Sequence, residues 1–360
     1  MRFGMTPTTL AARWPALRGG LTALTAALLF GASTPLVQRF GVGIGSFTTA
    51  ALLYAGAALV GALLRQPVAS EARVRRSDAP RLAWMALFGA VIGPVALAWG
   101  LQRTSGAGAS LLLTLEAVFT AVLAWLWYRE TLDRRVVAAL VLLTLGGMLL
   151  VAEGAGVGTS PLLGLLAVLV ATAAWGVDNT LSRGVATRDP GQVVMFKGAL
   201  GALATTLLAL LLGEPVPGLW PALALLLVGA TGYGLSLRFY LLAQRAFGAA
   251  RTGSVFAFAP FVGALVAFAL GERSGSLWML AAAVLMAAGI VLHLAERHGH
   301  EHAHDDEDHE HAHRHDDGHH GLHGHPPETS AAAEHSHRHR HAPVRHTHAH
   351  VPDEHHAHRH

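Results

Sequence analysis

Long apolar runs separated by short polar segments fill the first 295 residues of the chain. Ten runs, each close to the ~20 residues that a helix needs to cross a bilayer, lie at residues 19–38, 47–65, 82–102, 106–128, 136–152, 161–182, 192–212, 220–243, 252–270 and 275–294. A helix satisfies its own backbone hydrogen bonds in lipid. The pattern therefore predicts an all-α membrane protein with ten transmembrane helices.

The arginines between the runs predict how the chain is oriented. With the N-terminus inside the cell, fifteen arginines fall on the cytoplasmic side and three, Arg39, Arg103 and Arg273, on the other. Basic loops stay in the cytoplasm, so residues 1–18 and the C-terminus are predicted to be cytoplasmic, in a multi-pass protein of the cell (inner) membrane. A cleaved signal peptide is the alternative interpretation of the N-terminus, although nine further runs already deliver the chain to the membrane.

The apolar body is duplicated. LQRTSGAGAS (101–110) matches AQRAFGAART (243–252) at an offset of 142 residues, and the same offset pairs Glu130 with Glu272. Each half, 19–152 and 161–295, holds five runs, so the second half enters the membrane from the opposite side. Two inverted five-helix repeats are typical of transporters, whose substrate site lies near the midplane between the halves.

Two stretches carry a resemblance to a known family. They are LEAVFTAVLAWLWYRETLDRRVVAALVLLTLGGMLL (115–150) and FAPFVGALVAFALGERSGSLWMLAAAVLMAAGIVL (257–292). Both resemble the EamA-type family of the drug/metabolite transporter superfamily, although the first has Ala117 at the usual proline and Arg129 before Glu130. The resemblance implies a carrier of small solutes, often an exporter of metabolites or amino acids.

Four charged residues fall inside the predicted spans, where charge is costly and usually functional. They are Glu116, Asp178, Lys197 and Arg238. The last three each lie about five residues from a predicted cytoplasmic end, which puts them at similar depth. We expect this group to receive the anionic part of a substrate. The alternative is that Asp178 and Lys197 neutralise each other structurally while Arg238 extends to the interface.

Glu116 lies halfway along the fourth run, with no basic residue evident at its depth. Burial disfavours the ionised form of a carboxylate, and a group that gains and loses a proton suits proton coupling. A protonated glutamate bonded to a neighbouring helix is the alternative. Trp99, Trp175 and Tyr233 are candidates to line the substrate cavity, or else simple packing residues.

Composition separates the body from a histidine-rich tail. Residues 298–360 hold 23 of the 24 histidines, 12 acidic residues and almost no apolar material, which predicts disorder. Imidazole suits Zn²⁺, Ni²⁺ and Co²⁺, so we expect the tail to bind such ions, whereas the body requires no cofactor. The candidate ligands are His298, His300, His302, His304, His309, His311, His313, His315, His335, His337, His339, His341, His346, His348 and His350.

Three classes of function remain. The favoured one is a secondary transporter of a small organic solute, with a metal-binding tail. The alternative is a transporter of divalent transition metals in which the tail collects the ion, but the spans lack cysteine and offer no converging set of ligands. A membrane enzyme or sensor is not supported, because no nucleophile–base pair or phosphate loop occurs. The arginines lie in short loops, so nucleic acid is not an expected partner. The sequence leaves open whether the protein forms a homodimer.

Inverted insertion can be tested directly because the chain contains no cysteine. Single cysteines at Gln102 and Gln244, which are equivalent in the two repeats, should react with an impermeant maleimide from opposite sides of sealed vesicles. Labelling of both from the same side would mean that the halves are inserted in the same sense.

Overall fold

The fold of the protein is given by a computed structural model that describes residues 13–67, 71–128, 134–185, 188–247, 249–273 and 275–294. It also describes four tail segments, 299–303, 307–313, 335–341 and 345–349. Within these ranges the body is entirely helical. Eight of its helices are long and apolar enough to cross a membrane, and two shorter apolar helices follow at residues 259–269 and 277–292. A membrane crossing at the ninth and tenth runs therefore stays a prediction.

The first repeat contains seven α-helices. They are α1 (Arg13–Phe40), α2 (Ser46–Leu63), α3 (Ala79–Ala86), α4 (Gly93–Leu101), α5 (Gly106–Leu112), α6 (Glu116–Tyr128) and α7 (Arg134–Val157). A π-helical segment, Leu87–Ile92, joins α3 to α4, and a 3₁₀ turn, Leu113–Leu115, joins α5 to α6. The third and fourth runs are thus each one continuous but irregular span.

The second repeat follows the same plan. Its helices are α8 (Thr159–Ser182), α9 (Pro190–Leu211), α10 (Leu219–Val228), α11 (Ser236–Phe247), α12 (Ala249–Phe256), α13 (Ala259–Ala269) and α14 (Leu277–Leu294). A π-helical segment, Gly229–Leu235, joins α10 to α11. The ninth run, 252–270, was predicted to be one helix. In the structure it forms α12 and α13, which are separated by a turn at residues 257–258. Pro260 in the first turn of α13 has no N–H to donate back across that turn.

The irregular segments occur at equivalent places in the two repeats. The offset of 142 carries Leu87 onto Gly229, so both π segments begin at the same repeat position, and it carries Leu115 onto Ala257. π segments inside α-helices are rare and are frequently found at functional sites. The duplication therefore extends from the sequence to the backbone geometry.

Helices α2 and α9 pack across the boundary between the repeats at very short range. A side chain added at Gly61 would come within 2.5 Å of the backbone nitrogen of Met195, and one at Gly198 within 2.8 Å of that of Ala58. Small residues allow this close approach. In lipid the hydrophobic effect does not drive helices together, and tight packing at small residues stabilises their association instead. The α2–α9 pair thus binds the two repeats together.

Four segments of the tail are described, and all four are paired strands. Strands β1 (Gly299–Ala303) and β4 (Arg345–Ala349) pair antiparallel, as do β2 (Glu307–His313) and β3 (His335–His341). Strand pairing depends on backbone hydrogen bonds, and these segments alternate histidine with other residues in the extended manner of a strand. Disorder of the tail as a whole stays a prediction.

Candidate functional site

A backbone carbonyl left free by the first π segment organises the centre of the body. In this segment the N–H of Gly93 donates to the carbonyl of Phe88, five residues earlier. The corresponding donor for Gly89 would be Pro94, which has no N–H. The carbonyl of Gly89 instead accepts hydrogen bonds from the indole Nε1 of Trp175, at 3.0 Å, and from the hydroxyl of Tyr54.

The second repeat does not share this feature. The residues equivalent to Gly89 and Pro94 are Thr231 and Ser236, and the N–H of Ser236 donates to the carbonyl of Thr231. This bond closes within the second π segment itself, whereas the first π segment presents the carbonyl of Gly89 to side chains from other helices. The site is asymmetric although the backbone is duplicated.

Asp178 and Lys197 form a buried ion pair beside this carbonyl. The ammonium of Lys197, on α9, donates to Oδ2 of Asp178, on α8, and the side chains of Lys197 and Asp178 are 4% and 6% exposed. The carboxylate lies where a side chain on residue 89 would be, so Gly89 is required for its position. Oδ1 of Asp178 has no hydrogen-bond partner among the described residues. Such an oxygen can accept a hydrogen bond from a bound solute.

Glu116 lies next to this pair instead of at a different depth. Its carboxylate accepts a hydrogen bond from the side-chain amide of Asn179, the residue after Asp178. The sixth run was predicted to end at residue 182, but the helical chain continues as a 3₁₀ turn through Val185. The two buried carboxylates thus belong to one site.

Aromatic rings surround the charged residues. Tyr233 lies within 5.5 Å of Tyr54, 6.0 Å of Phe30 and 6.4 Å of Trp175, measured between ring centroids. Phe30 also contacts Trp175 at 5.7 Å and Phe256 at 5.3 Å. Most of these pairs are edge-on or tilted, the arrangement that aromatic rings prefer. The rings come from both repeats and form one cluster at their boundary.

Two predicted site residues are not part of this cluster. Trp99, near the end of α4, stacks under the guanidinium of Arg103 at 3.6 Å and lines an open groove of about 550 Å³ that also contains Glu214. Arg238 is half-buried on α11, and its Nε has no hydrogen-bond partner among the described residues. The structure records no contact between Arg238 and the Asp178–Lys197 pair.

The described residues contain no group of three or more histidine, aspartate or glutamate side chains that could hold a metal ion. Of the predicted tail ligands, His298, His304, His315 and His350 lie outside the described residues. The others lie on the strands, where the register places His309 opposite His339, His311 opposite His337 and His300 opposite His348. Metal binding by the tail stays a prediction.

Sequence reasoning missed the neutral members of the site. Tyr54, Gly89 and Asn179 carry no charge, and nothing in their spacing separates them from packing residues. The signals that could have identified them are indirect. Asn179 follows Asp178 directly, and Gly89 precedes Pro94 by the five residues of a π-helical hydrogen bond.

Comparison with known proteins agrees with the repeat architecture. The profile of the EamA-like transporter family matches residues 17–152 and 162–295. An uncharacterized transporter of Methanothermobacter thermautotrophicus is 29% identical over 231 residues, which are 62% of this chain and 66% of that protein's length. One solved crystal structure has a TM-score of 0.57 at 21% identity, over 76% of this chain and 94% of its own. That likeness concerns the fold alone.

The buried ion pair can be tested through stability. Lys197→Met should lower the free energy of unfolding by about 3–5 kcal/mol, because it leaves the Asp178 carboxylate buried without its partner. The double variant Lys197→Met/Asp178→Leu should recover most of this loss, since removal of both charges leaves neither unpaired. Unfolding of purified protein in detergent measures both. Equal stability of the single and double variants would show that the two charges are not coupled.

Proposed function

Because the chain belongs to the EamA-like transporter family, we propose that it is a secondary transporter of a small organic solute, bound between its two repeats. The observation that carries this proposal is the buried Asp178–Lys197 pair inside an aromatic cluster at the repeat boundary. Buried ionisable residues in a membrane protein mark substrate and ion pathways. The repeat boundary is also where inverted-repeat transporters bind their substrates.

The solute is proposed to carry an anionic group such as a carboxylate. The ammonium of Lys197 donates to Asp178, and a carboxylate on the solute could replace Asp178 as the acceptor. The aromatic rings of Trp175 and Tyr233 supply an apolar surface for the remainder of the solute. Arg238 and Trp99 are assigned to the pathway instead of the central site, because Trp99 stacks on Arg103 and Nε of Arg238 has no hydrogen-bond partner among the described residues.

Proton coupling is proposed to use Glu116. Its carboxylate accepts a hydrogen bond from Asn179, and the residue before Asn179 on α8 is Asp178, which is paired with Lys197. Two carboxylates that lie close together and share one lysine favour the uptake of a proton, since like charges disfavour simultaneous ionisation. Binding of an anionic solute to Lys197 would strengthen this preference, so solute and proton would travel together.

The remaining assignments concern orientation and the tail. Both termini are proposed to be cytoplasmic, in the inner membrane of the cell, because the arginine-rich segments lie on that side. The tail is proposed to bind transition-metal ions through its histidines and to act as an accessory to the carrier. In this proposal the metal ion is not the transported solute.

Flux through purified protein distinguishes the organic solute from a metal ion as cargo. Proteoliposomes with full-length protein or with residues 1–297 should both accumulate a labelled member of a panel of amino acids and small carboxylates. Zn²⁺, Ni²⁺ and Co²⁺ should bind the full-length protein only and should cross with neither, because the expected ligands lie in the tail. Metal flux through the truncated protein, without flux of any organic solute, would establish the alternative.

Coupling through Glu116 predicts a selective defect. Glu116→Gln should still accept the hydrogen bond from Asn179 and should retain solute exchange, but it should lose accumulation driven by an imposed pH gradient. Glu153→Gln, a change of the same chemistry near the end of α7, serves as the control. Undiminished gradient-driven accumulation by Glu116→Gln would remove this residue from the coupling mechanism.

A further inference from the structure

Two ion pairs join the repeats at the end of the body where α2 ends and α9 begins. The guanidinium of Arg245, at the end of α11, donates from Nη1 to both carboxylate oxygens of Glu71 at 2.8 Å. Nε of Arg188, just before α9, lies 2.9 Å from Oδ2 of Asp78. In each pair the acid belongs to the first repeat and the arginine to the second.

Arg188 links the two ion pairs into one unit. Its backbone carbonyl accepts a hydrogen bond from Nη2 of Arg245 at 2.5 Å, while its side chain holds Asp78. The next residue, Asp189, donates its backbone N–H to the carbonyl of Ala72 at 2.8 Å, and its carboxylate accepts a hydrogen bond from the backbone N–H of Gln66 at 3.0 Å. The described part of the loop after α2 is therefore attached to the second repeat at several points.

A small apolar cluster accompanies these ion pairs. It is separate from the main core and consists of Leu82, Met85, Val185, Val193 and Leu241. The first two come from the first repeat and the other three from the second. Val185 precedes Arg188 by three residues and Leu241 precedes Arg245 by one helical turn, so this cluster lies next to the ion pairs along the chain.

The opposite end of the body is held by different chemistry. Arg103, the repeat equivalent of Arg245, stacks on Trp99 of its own repeat. There the carboxylates of Glu214 and Glu272 accept hydrogen bonds from the N-terminal N–H groups of α2 and α5, at 2.7 Å for Thr48 and 3.0 Å for Gly106. Arginine–carboxylate pairs between repeats thus mark one end, and carboxylate caps on helices mark the other.

We propose that Glu71, Asp78, Arg188 and Arg245 form an inter-repeat latch that closes one end of the transport passage and opens in each cycle. The proposal rests on the proposed function, because it requires the repeats to separate at one end as a solute passes. The arginine side chains of the latch are 13% and 18% exposed, so water can replace their partners when the pairs separate. The apolar cluster beneath them would then become accessible from that side.

The accessibility of this cluster tests the latch without knowledge of the solute. The cysteine-free chain allows Val193→Cys to serve as a single reporter at a fully buried position. Its rate of labelling by an impermeant maleimide is measured in sealed vesicles of each orientation. Adding Glu71→Gln or Arg245→Gln should raise that rate from one side by about 5- to 30-fold, the change in population expected when one such interaction is lost.

Charge reversal and a matched control complete the design. The pair Glu71→Arg/Arg245→Glu should return the labelling rate toward that of the Val193→Cys parent, which general loosening of the fold would not do. Glu153→Gln should leave the rate unchanged. The latch would be overturned if Val193→Cys were labelled at the same rate with Glu71→Gln as with Glu153→Gln. It would also be overturned if the charge-reversed pair were labelled as fast as the single variants. The labelling assay uses no solute, so its result is independent of the flux measurements. The labelling rates can contradict the latch while flux supports the transporter, and flux can contradict the transporter while the labelling rates support the latch.

Discussion

Backbone polar groups inside a membrane protein have no water to bond with, and this constraint determines where the centre of the molecule is built. Pro94 follows the π segment at the position that should supply a donor to Gly89. The freed carbonyl needs hydrogen bonds, and it obtains them from Tyr54 on α2 and Trp175 on α8. These two helices belong to different repeats. Because Pro94 lacks an N–H, the carbonyl of Gly89 accepts hydrogen bonds from side chains of both repeats.

The buried charges lie beside the same carbonyl. A carboxylate and an ammonium are stable at such depth only when they are paired, and Asp178 can reach its place only because residue 89 is glycine. The polar carbonyl lies on one side and Lys197 on the other, and Oδ1 of Asp178 has no hydrogen-bond partner among the described residues. A buried acceptor without a partner offers a position for a donor from a ligand. At the second π segment, Ser236 stands in place of proline and its N–H bonds the carbonyl of Thr231.

The sequence was sufficient for those features that depend on one segment or on repetition. Eight of the ten predicted spans, the two-repeat organisation and the EamA-type resemblance were confirmed, and Asp178 does pair with Lys197. Features that depend on the register between distant helices were not accessible. To predict that Glu116 contacts Asn179, one must know how α6 and α8 are positioned along each other. A difference of a few residues in the predicted end of a helix changes that position. Arg103 and Arg245 are equivalent in the repeats, but Arg103 stacks on Trp99 of α4, whereas Arg245 pairs with Glu71 from the loop after α2.

Helix α9 connects the two functional regions of the molecule. Arg188 and Asp189 lie at its start, and Lys197 lies two turns further on. The backbones of α2 and α9 are in direct contact at their glycines, so the two helices cannot easily slide past each other. Helices α2 and α9 should therefore move together, and the loop after α2 with them. Arg245 belongs to α11, which follows the second π segment and carries its own contacts to α1, such as the bond from Ser236 to Ala26 at 2.8 Å. Separation of the latch is thus easiest as a movement of α11 away from the α2–α9 pair, with the π segment as the place where the span bends.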